Sequence, residues 1–166
     1  MKPEEPGTTV QARTTFRERR AASVWTRIHP IFAIGQLLVF VVSLVLLALY
    51  FAHVVPFSAV HVSVLVKVAF MTLAVVTGSL WERDVYGQWW FAPQFLVEDV
   101  MTANVFLLHV AYLAMYYLFP AKMATTLALL VVAYSVYALN VGQYIVSHLR
   151  TRKALQEPLG LEDIAA

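Results

Sequence analysis

The sequence predicts an all-α membrane protein, a four-transmembrane-helix antiparallel bundle with both termini on the cytoplasmic side. Three observations predict it. Of the 166 residues 60% are hydrophobic and only 13% are charged, where an ordinary soluble domain carries about 25% charged residues. Four apolar stretches each reach the roughly 20 residues needed to cross a bilayer at about 1.5 Å per residue. The basic residues are also unevenly placed: ten of the twelve flank the stretches on what is then one side of the membrane, the side that the positive-inside rule makes cytoplasmic.

The first span, Ile28 to Phe51, follows a polar segment, 1–27, that contains Pro3, Pro6 and six of those basic residues. No small-residue cleavage pattern follows the span, so a cleaved signal peptide is not expected. Thr15-Phe16-Arg17-Glu18 has the spacing of a capping box. It opens a run with Phe16 and Trp25 among arginines that reads either as a solvated basic tail or as a short helix on the anionic leaflet.

The second span, Ala59 to Trp81, is separated from the first by a short connection with Pro56. Glu82 to Gln94 is the longest connection. Trp81-Glu82-Arg83-Asp84 and the aromatic run Trp89-Trp90-Phe91, with a turn at Gly87, read either as an interfacial loop with a local ion pair or as a lid over the inner cavity. The third span, Phe95 to Leu118, meets the fourth, Ala121 to Ser147, through a tight turn at Phe119-Pro120. Short connections make successive helices antiparallel neighbours. The segment 148–166 reads as a cytoplasmic tail, disordered after Arg152 where Pro158 and Gly160 occur, leaving 28–147 as the transmembrane domain. Trp25, Trp81, Trp89 and Trp90 fall at one boundary, as an aromatic belt does.

Composition also excludes functions. Without cysteine there is no disulfide, no thiolate nucleophile and no cysteine metal site. A net charge of +2 gives no reason to expect nucleic acid, and the absence of an internal repeat argues against a transporter built of inverted halves.

Polar residues within the spans sort by height. Gln36, Thr77, Ser79, Glu98, Asp99, Thr102, Asn140 and Gln143 form a cytoplasmic tier suited to lining a cavity. Lys67 and His109 lie deeper, about 12 to 14 Å from the outer face. Lys67 is expected to snorkel outward along its stem, and His61 to be interfacial. Haem ligation is disfavoured, because His61 and His109 differ in height by roughly 10 Å.

The carboxylate pair Glu98-Asp99 is the main clue to chemistry, since ionisable groups at membrane depth are costly and tend to be functional. Acids beside Pro93 at a helix start suit the helix dipole, but one would serve. Two adjacent acids point about 100° apart, so at least one faces the interior, where it can act as a general acid. At that same rotation Thr102, Val105, His109, Tyr112 and Tyr116 lie within about 40° of Glu98. Glu98 and His109 are some 16 Å apart along the axis, a separation that a large flat ligand meets better than a small metabolite.

Thr77-Gly78-Ser79-Leu80-Trp81-Glu82, Tyr86-Gly87-Gln88-Trp89-Trp90-Phe91-Ala92-Pro93, Glu98-Asp99-Val100 and Leu108-His109-Val110-Ala111-Tyr112-Leu113 together resemble the 3-vinyl bacteriochlorophyllide hydratases of bacteriochlorophyll biosynthesis. The similarity runs over about residues 20 to 148. The resemblance implies a hydro-lyase that adds water to the C3 vinyl group of chlorophyllide a or 3-vinyl bacteriochlorophyllide, giving the 3-(1-hydroxyethyl) pigment, in a bacterial inner membrane.

On that resemblance no cofactor is needed, the magnesium being carried by the substrate. Glu98 or Asp99 would donate the proton, and the other acid, or Glu82, would orient water. His109 would approach the magnesium, with Tyr112, Trp81 and Trp90 offering stacking surface. Arg83 would pair with the pigment's propionate, and Thr102, Asn140, Gln143 and Gln36 would line the cavity. Pairing with a second copy and handover from other enzymes of the pathway stay open. So does a rival reading: a non-catalytic membrane protein that binds or assembles a tetrapyrrole.

Overall fold

The computed structural model describes residues 17–90, 93 and 95–156. The capping box at Thr15 and the tail beyond 156 lie outside them. All four expected spans are helices: α1 Trp25–Phe51, α2 Phe57–Tyr86, α3 Leu96–Leu118 and α4 Met123–Gln156, the last entered through a 3-10 turn at Pro120–Lys122. No strand occurs among the described residues. Each of the four helices is long and apolar enough to cross a membrane, and helices satisfy their own backbone hydrogen bonds there. The chain is a multi-pass membrane protein.

The helix ends depart from the apolar boundaries where charge begins. α1 starts at Trp25 rather than Ile28, and α2 runs on through Glu82, Arg83 and Asp84 to Tyr86. The loop expected from Glu82 is therefore helix up to Gly87. Hydropathy marks where lipid contact ends, whereas the helix continues as long as its i to i−4 bonding does. What stops α2 is Gly87, left-handed at φ 74°, whose N–H donates to the Arg83 carbonyl at 2.9 Å, an αL cap that glycine adopts without a Cβ penalty.

Two compact units divide the chain between Leu96 and Val97. In the first, α1 and α2 form an antiparallel hairpin whose pairings run steadily away from the reversal. Tyr50 meets Phe57 edge-on at 5.3 Å between centroids, the hydroxyls of Ser43 and Ser63 lie 2.6 Å apart, Phe32 packs against Phe70, and His29 Nδ1 lies 3.2 Å from Thr77 Oγ1. Gly35 allows the Phe70 ring to lie against α1: a Cβ there would stand 2.6 Å from Phe70 Cε1.

Lys67, expected to snorkel, is wholly buried in this hairpin. Its Nζ sits 5.6 Å from the centre of the Phe40 ring. The nearer end of α2 is about 15 Å away along the axis, beyond the reach of a four-carbon stem, so burial replaces snorkelling. His61, expected at the interface, is buried as well.

The second unit is the hairpin of α3 and α4. On α4 the buried residues Thr126, Leu130, Ala133, Tyr134 and Tyr137 recur at helical spacing. On α3 they are Val105, His109 and Tyr112. The opposite side of α3, with Val97, Val100, Leu107 and Val110, is exposed, as a lipid-facing surface is. Exposed polar side chains bond within their own helices: Thr72 Oγ1 donates to the Val68 carbonyl at 2.9 Å, Asn104 Nδ2 to Val100 at 3.0 Å and Ser135 Oγ to Val131 at 2.9 Å.

Candidate active site

The candidate site on α3 follows from helix geometry. Glu98 and Asp99 occupy its first turn, where the helix dipole favours negative charge, and both are half-buried. Val97 and Val100 on either side are exposed. Continuing from Glu98 along one face come Thr102, half-buried, then Val105, His109 and Tyr112, all buried, and Tyr116, half-buried. The polar and aromatic stripe is thus the buried side of α3, with Glu98 on it and Asp99 about 100° around the axis.

His109 is fixed at two points. Its Nδ1 lies 2.7 Å from the Val105 carbonyl oxygen; a carbonyl only accepts, so Nδ1 carries the hydrogen and, in the neutral ring, Nε2 carries the lone pair. The ring also stacks on Tyr134 of α4, with centroids 5.9 Å apart and planes 27° apart. Tyr112 stacks in turn on Tyr116. Tyr134 was not among the residues that the sequence singled out. Its signal was present in the spacing of Leu130, Ala133, Tyr134 and Tyr137, a buried helical face with two phenols.

The first unit supplies a second group, at the end of α2. Glu82 is buried at 5% exposure, whereas Arg83 is exposed and lays its guanidinium over Trp89 at 4.4 Å. Trp81, Tyr86 and Phe95 form a mutual aromatic triad, with centroid distances of 5.6, 5.7 and 5.3 Å. Phe95 thereby folds the connection back onto the end of α2. Trp81 Nε1 donates to Thr26 Oγ1 at 3.0 Å, and Thr26 Oγ1 donates to the Arg20 carbonyl at 2.7 Å. This ties the short helical segment 17–22 to both helices of the hairpin.

The expected site residues therefore fall into two sets. α3 brings Glu98, Thr102, His109 and Tyr112 onto one face, with Asp99 beside it. On α4, Asn140 is half-buried and Gln143 exposed. In the first unit, Trp81 and Glu82 lie together at the end of α2, with Arg83 on the adjoining exposed surface and Trp90 also exposed; Gln36 is half-buried on α1.

The sequence comparisons bear on what this arrangement does. The family model described as 2-vinyl bacteriochlorophyllide hydratase (BCHF) matches residues 14–150. The chain belongs to the 2-vinyl bacteriochlorophyllide hydratase family. Relatives of that name from Rhodobacter capsulatus and Cereibacter sphaeroides are each 40% identical over 130 residues, covering 78% of this chain and 75% and 80% of theirs. No solved structure matches the chain. As a member of the hydratase family the protein is a hydro-lyase of bacteriochlorophyll biosynthesis. The matched region takes in α1, α2 and α3, α4 up to residue 150, and both sets of site residues.

Proposed function

We propose that the protein adds water across the vinyl group of a chlorophyllide or bacteriochlorophyllide, at C3 of the macrocycle (the 2-vinyl of its relatives' name), producing the 3-(1-hydroxyethyl) pigment. The relationship to the named hydratases over residues 14–150 carries this reading. The buried stripe of α3 supports it with an acid and a histidine about 16 Å apart along one face and a phenol ring, that of Tyr112, one turn further on, dimensions suited to a flat macrocycle.

In this reading Glu98 is the proton donor, because it shares the stripe with His109 and Tyr112. Its carboxyl proton passes to the terminal vinyl carbon, and the π electrons form that C–H bond. The cation left on the inner carbon is delocalised into the ring. A water oxygen bonds there and releases a proton to carboxylate, so that one water is added and the acid is regenerated. Asp99, in the same turn, orients the water. His109 Nε2 faces the pigment with its lone pair, and Tyr112 and Tyr134 offer ring surface. The reaction consumes no cofactor, the magnesium being part of the substrate. In this reading the acids lie at the cytoplasmic side of a bacterial inner membrane, which the positive-inside rule supports through Arg17, Arg19, Arg20, Arg27 and Arg83.

The test mixes detergent-solubilised protein with vinyl chlorophyllide, following the blue shift of the red band and the mass gain of one water. General acid catalysis contributes about 10²- to 10⁴-fold, so Glu98→Gln should lower kcat by about 10² or more while pigment still binds. Parental rates in both Glu98→Gln and Asp99→Asn would overturn the assignment. Pigment bound by the parent without mass gain would favour the carrier reading.

A further inference from the structure

The vinyl chemistry makes no use of the basic segment that precedes α1. Residues 17–27 hold four arginines against one glutamate, and Arg17, Arg19, Arg20 and Arg27 are all exposed. In sequence the segment reads either as a solvated tail or as a short helix on an anionic leaflet. A solvated run of like charges repels itself and stays extended. Here residues 17–22 are helical, and the end of that helix is anchored.

The helix breaks at Ser23 and Val24, before α1 begins at Trp25. Ser23 is buried, whereas Val24 is exposed, and across the break the Arg20 carbonyl accepts from the Thr26 hydroxyl at 2.7 Å. Thr26 Oγ1 accepts in turn from Trp81 of α2, and the charge of Arg20 acts on the Tyr86 hydroxyl at the end of the same helix. The segment thus leans toward the end of α2. Arg83 adds a fifth exposed guanidinium at this end of the hairpin, stacked on the exposed Trp89.

We propose that residues 17–27 are a docking surface for anionic phospholipid headgroups, the guanidinium groups of Arg17, Arg19, Arg20 and Arg27 donating to headgroup phosphates. A planar guanidinium offers two parallel N–H bonds to such a group. Position favours lipid over an acidic protein. The apolar span begins at Trp25, so at about 1.5 Å per residue Arg20 and Arg17 stand no more than about 8 and 12 Å from it. The headgroup layer is itself about 5 to 8 Å deep on each side of the bilayer, within reach of an arginine side chain. The Thr26 contacts hold the arginines at that level, so docking orders less chain than a free tail requires. The excess of positive charge selects lipids with net negative charge over zwitterionic ones.

The experiment places the full chain in phosphatidylcholine nanodiscs and compares quenching of its tryptophan fluorescence by brominated phosphatidylglycerol and by brominated phosphatidylcholine. Trp25 and Trp89 are the near reporters. The parent should prefer the anionic lipid by about fivefold or more, the scale of one arginine at an anionic surface. The triple variant Arg17→Gln, Arg19→Gln, Arg20→Gln should lose most of that preference. Raising salt to roughly 0.5 M should weaken it in the parent, because exposed charges are screened. Equal quenching by the two lipids in the parent would overturn the proposal and leave the arginines to an acidic protein partner. An unchanged preference in the triple variant would overturn it as well, by assigning the selectivity to other residues. If the variant is not recovered, the parental ratio at low and high salt decides, since a preference that persists in high salt is not carried by exposed arginines. Lipid is read without pigment, so the outcome is independent of the hydratase reading.

Discussion

The imidazole of His109 lies against the phenol ring of Tyr134 with 27° between the planes and 5.9 Å between centroids. The contact joins α3 to α4 at the middle of the stripe that carries Glu98. Together with the bond from Nδ1 to Val105 it sets both the tilt of the ring and the tautomer. His109→Phe retains the stack and removes the Nε2 lone pair. If that lone pair meets the pigment, the variant should bind vinyl chlorophyllide about tenfold more weakly, the scale of one hydrogen bond, and shift the bound pigment's spectrum. Tyr134→Leu should lose a smaller factor. Parental affinity and spectrum in His109→Phe would remove His109 from the site.

Thr26 takes part in two hydrogen bonds through one atom, accepting from Trp81 and donating to the Arg20 carbonyl. Thr26→Val keeps the shape and loses both. The segment 17–22 should then be released, seen as faster tryptic cleavage at Arg17, Arg19 and Arg20 in detergent. Trp81→Phe loses one bond and should show a lesser acceleration. Unchanged cleavage in Thr26→Val would mean that the segment is held by other contacts.

Gly35 is the close-packing point of α1 on α2, where a Cβ would stand 2.6 Å from Phe70 Cε1 and 2.9 Å from Cδ1. The ring must move if a methyl group is added. Gly35→Ala should destabilise the hairpin by about 1 to 3 kcal/mol, as overpacking does, measured by thermal unfolding in detergent. Phe70→Leu placed in the Gly35→Ala background should recover part of the loss. Additive losses would show that the two positions do not share this contact.

Ser63 Oγ lies 2.6 Å from the Val60 carbonyl and 2.6 Å from Ser43 Oγ, a pair in which either hydroxyl can be the donor. Ser43→Ala or Ser63→Ala should each cost about 0.6 to 1.7 kcal/mol, the range of interhelical hydrogen bonds in membranes. The double substitution should cost little more than the worse single one, because both remove the same bond. A double-mutant cycle with no coupling would refute the pairing.

Four spans were legible from hydropathy alone because lipid selects apolar side chains over some 20 residues at a time. Their ends were not. Trp25 begins α1 and Tyr86 ends α2 beyond the apolar runs, since an aqueous helix turn tolerates Glu82, Arg83 and Asp84. The α3 stripe was legible as well: the rotation that aligns Thr102, Val105, His109 and Tyr112 with Glu98 is a property of one helix, and the burial pattern follows it. What escaped were contacts between helices, such as Tyr134 on His109, Phe95 on Trp81 and Tyr86, and Phe40 beneath Lys67. A single sequence carries no distance between residues far apart in the chain. Lys67 was misread for that reason, because snorkelling is the rule for a lone helix and burial depends on the neighbour.

Thr72, Asn104 and Ser135 each return a hydrogen bond to the carbonyl four residues back in the same helix. Those polar groups ask nothing of adjacent helices, so during synthesis they place no obstacle to α3 and α4 leaving the ribosome's membrane channel one by one. Ser63 and Lys67 differ, since their partners Ser43 and Phe40 lie on α1. The second span is therefore best released into lipid while the first is still beside it, which fixes an order of assembly in which the leading hairpin enters as a pair.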